Sequence, residues 1–341
     1  MRFDLNDEQR AIKDAIREVC DARASRGEGA ETDGAFWSEL AKSGWTQMAV
    51  PQEFGGQGSG LLELSLVLEE MGRALVGGAY LGHAAAAVLI AASGDEQQRP
   101  RWLPGLATAD GRAALGQAHN GGALLVDASG AALAVIAGPE TAAVLDPVPG
   151  ALNEAASLDV TRTLHRVESA GAERLRGDVD RGLDRAEVLL AAELVGVAQR
   201  AMELAVEHAS NRQQFGRPIG AYQAVSHRCA DMLVQVESAR SAVLSAAWTA
   251  DHEPEQLPFA ASVAKVTAAS AAWQVAAASL QVHGGMGFTW EYPIHRYLRR
   301  AAAGARLLRS VDHHLDRIAD QNGLGAEAVA AGAVQPAYAV P

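Results

Sequence analysis

Leu190, Leu194, Val197, Ala201, Leu204 and His208 recur at three- and four-residue spacing and so share one face of a helix. Val225, Cys229, Met232, Val236, Ala239 and Val243 repeat the pattern on a second helix. An Ala-rich stretch from Glu255 to Val282, suited to close packing, reads as a third, and Tyr297 to Ala319 reads as a fourth. Helices of this length bury their apolar faces against one another as an antiparallel four-helix bundle, assigned here to residues 181–321. The remainder, 322–341, is rich in Ala and Gly with two Pro and is expected to be a disordered tail.

The chain before the bundle divides in two. Asn6 followed by Asp7, Glu8 and Gln9 marks a helix start, and Ile12, Ile16, Val19 and Arg23 carry the helix from about Asp7 to Ala24. A Gly-rich break follows, then a short helix from Phe36 to Ser43, a Gly- and Pro-dense loop from Met48, and helices over Leu61–Arg73, Ala79–Ser93 and Glu96–Leu106. These make an N-terminal helical domain, 1–112. From Ala113 to Gly177 short apolar runs, Ala131–Ala137 among them, are bounded by Gly, Pro and Asp. This pattern predicts a small β unit, 113–180, although Ala is a poor strand former. The fold class is therefore mainly α with a shortened middle β unit.

Charge and composition exclude several function classes. The 341 residues carry 29 basic against 41 acidic side chains, a net charge of -12, which argues against nucleic acid as a partner. Cys20 and Cys229 both sit in helical patterns, so buried free thiols in a reducing cytoplasm are expected rather than a disulfide. No apolar run has signal-peptide or membrane-spanning character, and no metal-ligand spacing, Walker loop or Rossmann glycine loop is present. His295, His313 and His314 read as solvated or helix-terminal histidines.

Two turns of the bundle carry unusual chemistry. Asn211-Arg-Gln-Gln-Phe-Gly-Arg-Pro-Ile-Gly-Ala-Tyr-Gln joins the first two long helices, and Gln281-Val-His-Gly-Gly-Met-Gly-Phe-Thr-Trp-Glu-Tyr-Pro joins the last two. They resemble the R-x-x-F-G…Q and Q-x-x-G-G-x-G-[FY]…E-[YH]-P motifs of the acyl-CoA dehydrogenase family. Phe3-Asp-Leu-Asn-Asp-Glu-Gln and Val50-Pro-Gln-Glu-Phe-Gly-Gly extend the likeness to about Gln321. The resemblance implies FAD as cofactor, with Arg212, Gln214, Phe215, Gln223, Gln281, Gly284 and Gly285 as its binding residues. Their chemistry suits that role: a guanidinium forks onto a diphosphate, amides reach ribose or adenine, and glycines let backbone N–H groups approach. In the family these residues reach across a two-fold interface to a cofactor held mainly by another subunit, so a dimer at least is implied.

The same resemblance exposes what is missing. Dehydrogenation needs a base for the proton next to the thioester, in the family a Glu at one of two places. Those places hold Leu308 and Ala186 here. Glu187 lies one residue from the second, turned about 100° away on a helix, and also reads as an ordinary first-turn carboxylate; Glu193 lies about two turns deeper. The family's T-E-x-x-x-G-S-D flavin loop is matched by Ala114-Leu-Gly-Gln-Ala-His-Asn-Gly-Gly, without its Thr, Ser or Asp. The expectation is a catalytically incomplete subunit whose own catalytic residue is unassigned. It would pair with a longer acyl-CoA dehydrogenase subunit as a heterotetramer, as in actinobacterial steroid side-chain breakdown, with acyl-CoA as substrate and electron-transfer flavoprotein as acceptor. A self-sufficient homodimer using Glu187, and a non-enzymatic scaffold of the same fold, are the alternatives.

Overall fold

The computed structural model describes residues 4–25, 34–77 and 79–324. The break after Ser25 and the tail beyond Leu324, expected to be irregular and disordered, lie outside the described residues. Helix α1 (Asp7–Ser25) opens on a reciprocal cap: the Asn6 side chain accepts from the Gln9 N–H at 2.8 Å, and the Gln9 side chain accepts from the Asn6 N–H at 3.1 Å. Helices α2 (Gly34–Lys42), α3 (Leu61–Arg73), α4 (Ala79–Ser93) and α5 (Gln98–Leu106) complete the N-terminal layer. Nearly every residue of α4 from Tyr80 to Ile90 is buried, because the helix lies between the bundle and the sheet.

The Ala-rich middle segment does form strands. β1 (Ala113–His119), β2 (Gly122–Val126), β3 (Leu133–Ala137), β4 (Ala142–Leu145), β5 (Asn153–Ala155), β6 (Leu164–Glu168) and β7 (Glu173–Arg174) make one sheet in the order β5-β6-β2-β1-β3-β4-β7. Only β1 and β3 run parallel. Small residues serve here because the middle of the sheet is covered on both faces. Ala113, Leu115 and Val135 point to the main core, while Ala114, Ala134 and Ile136 join Leu125 and Val167 in a second core.

Helices α6 (Val179–Asn211), α7 (Gln223–His252) and α8 (Leu257–His283) form the bundle, with a two-stranded hairpin of β8 (Gln213–Gln214) and β9 (Arg217–Pro218) between α6 and α7. Close packing is written in small residues. A Cβ at Gly196 would stand 1.8 Å from the Glu69 carbonyl, and one at Gly72 2.1 Å from that of Glu193, so α3 and α6 cross backbone to backbone. Ala264, Ala268, Ala272 and Ala276 do the same for α8.

The predicted fourth helix is two. α9 (Ile294–Gly304) and α10 (Val311–Gln321) are separated at Leu308, which adopts a left-handed φ of 63°. Tertiary partners take the backbone groups that a continuous helix would use: Lys265 donates to the Leu307 carbonyl at 2.8 Å, Gln117 donates to that of Leu308 at 3.1 Å, and the Arg309 N–H donates to Glu187 at 2.7 Å. Ser310 then caps α10 by accepting from the His313 N–H.

Candidate functional site

Antiparallel α6, α7 and α8 bring the end of α6, the start of α7 and the end of α8 to one end of the bundle. There the two motif turns meet. His208 in the last turn of α6 stacks on His283 in the last turn of α8, ring centroids 4.6 Å apart, and Tyr292 closes the cluster 4.7 Å from His283. Both imidazoles are pushed below the usual histidine range, chiefly by burial, His208 further by the charges of His283 and Arg212. The stacked rings clasp the last turn of α6 to the last turn of α8. The motif reading overlooked these residues, though each histidine lies within four residues of Arg212 or Gly284.

The seven predicted cofactor residues lie on the turns and helix ends at this end of the bundle. Arg212 ends α6, its N–H donating to the His208 carbonyl at 2.8 Å, and its exposed guanidinium has no ion-pair partner among the described residues. Gln213 and Gln214 pair with Pro218 and Arg217 across a two-residue turn in which Phe215 (φ 52°) and Gly216 (φ 81°) are both left-handed. Phe215, at the tip, is 93% exposed. Gln223 opens α7, whose first turn has no side-chain cap, so the helix presents free N–H groups and the positive end of its dipole beside Arg212. Gln281 is exposed in the last turn of α8. Gly284 takes φ 61°, ψ -141°, a conformation that is essentially glycine's alone, and nothing lies within 4 Å of a Cβ placed there or at Gly285. Arginine, uncapped helix and open glycine turn together fit a phosphate-bearing dinucleotide approaching from outside the chain.

A second feature lies at the junction of sheet and bundle. A cavity of about 510 Å³ is lined by Gln117, Leu124, Asp159, Arg162, Leu164 and Leu307. β1 supplies one wall, where the family resemblance puts the flavin ring. The worn loop is only the Asn120-Gly121 turn of a hairpin, both residues at positive φ, which leaves no length for extra donors. Most polar groups present are committed. Gln117 holds Leu308, Arg162 pairs with Glu193, and Asp159 accepts from Thr161 and from Arg300 at 2.6 Å.

The positions where a base was sought are sealed. Ala186 is fully buried, and Leu308 is 5% exposed. Glu187 is in the third turn of α6 rather than the first, and is 0% exposed. Its carboxylate accepts from Lys265 at 2.8 Å and from the Arg309 N–H, with His314 Nε2 at 3.4 Å. The Lys265 ammonium, with His314, outweighs burial and holds the carboxyl down at about 2. Asp184 pairs with Arg309 and Arg317 alongside, which makes this a buried charge network. Glu193 is likewise spent on Arg162 and Arg300. His314, expected to be solvated or helix-terminal, does lie in the first turn of α10 but is fully buried between Glu187 and Ser262; His295 packs edge-on against Trp290. Among the described residues no cluster of metal-ligating side chains occurs, and no helix is long and apolar enough to cross a membrane.

Comparison with known proteins agrees with this geometry. The model of the acyl-CoA dehydrogenase N-terminal domain matches residues 6–110, and that of the C-terminal domain matches residues 178–309. Acyl-CoA dehydrogenase IpdE2 of Mycobacterium tuberculosis is 35% identical over 297 residues, covering 84% of this chain and 86% of its own. The Tcur3481-Tcur3483 steroid ACAD G363A variant superposes with a TM-score of 0.79 at 26% identity, over 96% of this chain and 99% of that one. The ChsE4-ChsE5 complex from Mycobacterium tuberculosis shares the fold at 24% identity, with a TM-score of 0.78 over 95% and 99% of the two chains. The chain belongs to the acyl-CoA dehydrogenase family, and FAD is the cofactor that goes with its fold.

Proposed function

We propose that this chain is the shorter, catalytically incomplete subunit of a heteromeric acyl-CoA dehydrogenase. It completes a flavin site seated mainly in a longer partner, in a heterotetramer. The observation that carries the reading is the state of Glu187. A base for the proton beside a thioester needs access to substrate and a pKa drawn up toward neutrality. Glu187 has neither, since it is enclosed by Lys265, His314 and the Arg309 backbone and held at about 2. The other two base positions are a buried Ala and a buried Leu.

What the chain retains is a binding surface. Arg212 would meet the diphosphate of FAD with the uncapped start of α7. Gln214, Gln223 and Gln281 would offer amides to ribose or adenine, Gly284 and Gly285 their backbone N–H groups, and Phe215 an apolar contact. FAD supplies the hydride acceptor, and the proton-accepting Glu would come from the partner. The two-component make-up of the Tcur3481-Tcur3483 steroid ACAD and of the ChsE4-ChsE5 complex supports the heteromer, and the first of them supports a bulky, steroid-like acyl-CoA in lipid breakdown. Electron-transfer flavoprotein is the acceptor that we assign, and the cytoplasm is the location.

Visible spectra test this. The chain purified alone is expected to be colourless, and the chain purified with its longer partner yellow and bleached by acyl-CoA. Flavin and acyl-CoA-dependent bleaching in the lone chain would overturn the reading in favour of Glu187. Absence of colour in both preparations would overturn it in favour of a scaffold.

A further inference from the structure

A cleft of about 870 Å³ opens at the opposite end of the bundle from the paired turns. Arg181 and Arg185, in the first two turns of α6, form part of its wall; Arg212 lies past the last turn, so the two regions are about 45 Å apart at the helical rise. The end of α7 supplies Trp248, Asp251 and His252, α5 supplies Arg99, and the Gly58-Ser59-Gly60 loop forms a polar rim. Neither the catalytic reading nor the cofactor reading uses any of these residues.

The charges in the cleft are not balanced among themselves. Asp251 is fully engaged, one oxygen accepting from the Leu61 N–H at 2.7 Å as a cap for α3, the other from Arg185 at 2.8 Å. Glu63 holds Gln9. Arg99 and Arg181 have no carboxylate partner among the described residues, and the Arg99 Nε is buried without an acceptor. That Nε has no exposed surface for a ligand to reach; the guanidinium ends of Arg99 and Arg181, which line the cleft, are the groups that can donate to an anionic oxygen. This is a cationic pocket in a chain of net charge -12.

The far wall adds a second kind of recognition. Trp248 and His252 lie nearly parallel, 5° between planes and 4.7 Å between centroids, the imidazole pinned by a 2.9 Å contact of Nδ1 with the Trp248 carbonyl. His252 is exposed, so this short stack has an open end on which another flat ring can lie. Ser59 and the Gly58 and Gly60 backbone offer polar groups for the edge of such a ring. The volume lies within the range of pockets that take ligand-sized molecules.

We infer that this cleft binds a nucleoside monophosphate, with its base on the Trp248–His252 stack and its phosphate between Arg99 and Arg181. The site is independent of the flavin surface and of the partner-completion reading, and adds a second nucleotide to what the chain recognises.

Calorimetric titration of the full chain with AMP, adenosine and inorganic phosphate tests it. AMP is expected to saturate one site per chain at millimolar concentration or below, with adenosine and phosphate each about tenfold weaker, since each lacks one half of the recognition. Arg99→Ala and Arg181→Ala should each weaken AMP about tenfold, the loss of one charge-assisted contact. Arg181 is exposed, so its variant carries the test should the half-buried Arg99 variant misfold. No saturable AMP binding, or AMP binding unchanged in Arg181→Ala, would overturn the assignment. So would loss of binding in Arg212→Ala with survival in Arg181→Ala, which would move the nucleotide to the paired turns.

Discussion

Replacing Lys265 by Met leaves the Glu187 carboxylate in the core without its strongest partner. Removing one member of a buried pair costs about 3–5 kcal/mol, because the remaining ion stays desolvated and uncompensated. Here the Arg309 N–H and His314 remain within reach of Glu187, so the lower end, about 3 kcal/mol, is expected. The ionisation of the pair has the same sign: the Lys265 ammonium holds the Glu187 carboxyl down to about 2, although burial lowers the Lys265 ammonium in turn and offsets part of that gain. Because the folded pKa is depressed, this contribution is complete above about pH 4.5 and is lost as pH falls toward 2. Urea unfolding followed by helical circular dichroism should therefore show Lys265→Met about 3 kcal/mol less stable at pH 7. The gap to wild type should narrow once the pH drops below 4.5, as protonation of Glu187 makes Lys265 redundant. Adding Glu187→Gln to Lys265→Met should restore at least half of the loss, since no buried charge is then left over. A single variant that costs under about 1 kcal/mol, or a double variant whose losses simply add, would refute the argument. Glu187 would then be hydrated, and its exclusion as a base would fall with it.

Further outcomes follow from other contacts. His83 is fully buried, with Nε2 2.8 Å from the Thr46 carbonyl and a pKa lowered to about 4 by burial; stability should fall as pH drops from 6.5 toward 4, by about 3 kcal/mol in all. The slope of unfolding free energy over that interval should be shallower in His83→Gln. Asp251→Ala removes the cap on α3 and the Arg185 partner together and should cost about 1–2 kcal/mol by denaturant unfolding. Gly284→Ala meets no atom within 4 Å but forces a residue with a Cβ to φ 61°, ψ -141°, so about 1–3 kcal/mol of backbone strain is expected, with a reshaped turn. Its signature should be weaker flavin retention in the heteromer at nearly unchanged helical content.

The bundle was legible because its signal is periodic and long: Leu190, Leu194, Val197 and Ala201 are all fully buried as the spacing requires. Val225 and Cys229 share the predicted face of α7 but are only half-buried, since that end projects beyond its neighbours toward the paired turns. Periodicity could not show the break at Leu308. It is imposed by Lys265, Gln117 and Glu187, which are remote in sequence and converge on three consecutive backbone groups. The same non-locality hid the fate of Glu187, held by Lys265 and the Arg309 N–H, and of His314, held against Ser262, all partners remote in sequence. One hint was available: Lys265 interrupts a face of Ala261, Ala264, Ala268 and Ala272, where an unpaired ammonium would not be tolerated. The motif residues were readable because their chemistry is local, each held by its own turn. What brings the two turns together, the His208–His283 stack, came only with the fold.

Arg212 and its surroundings are proposed to grip a flavin seated in another chain. Flavin content per complex, read from visible absorbance of the chain purified with its longer partner, tests this most directly when wild type is set against Arg212→Ala. Arg212 is exposed and unpaired, so its loss leaves the fold intact. An assembled but largely colourless complex is expected for the variant and a yellow one for wild type. Full flavin occupancy in the Arg212→Ala complex would contradict this assignment.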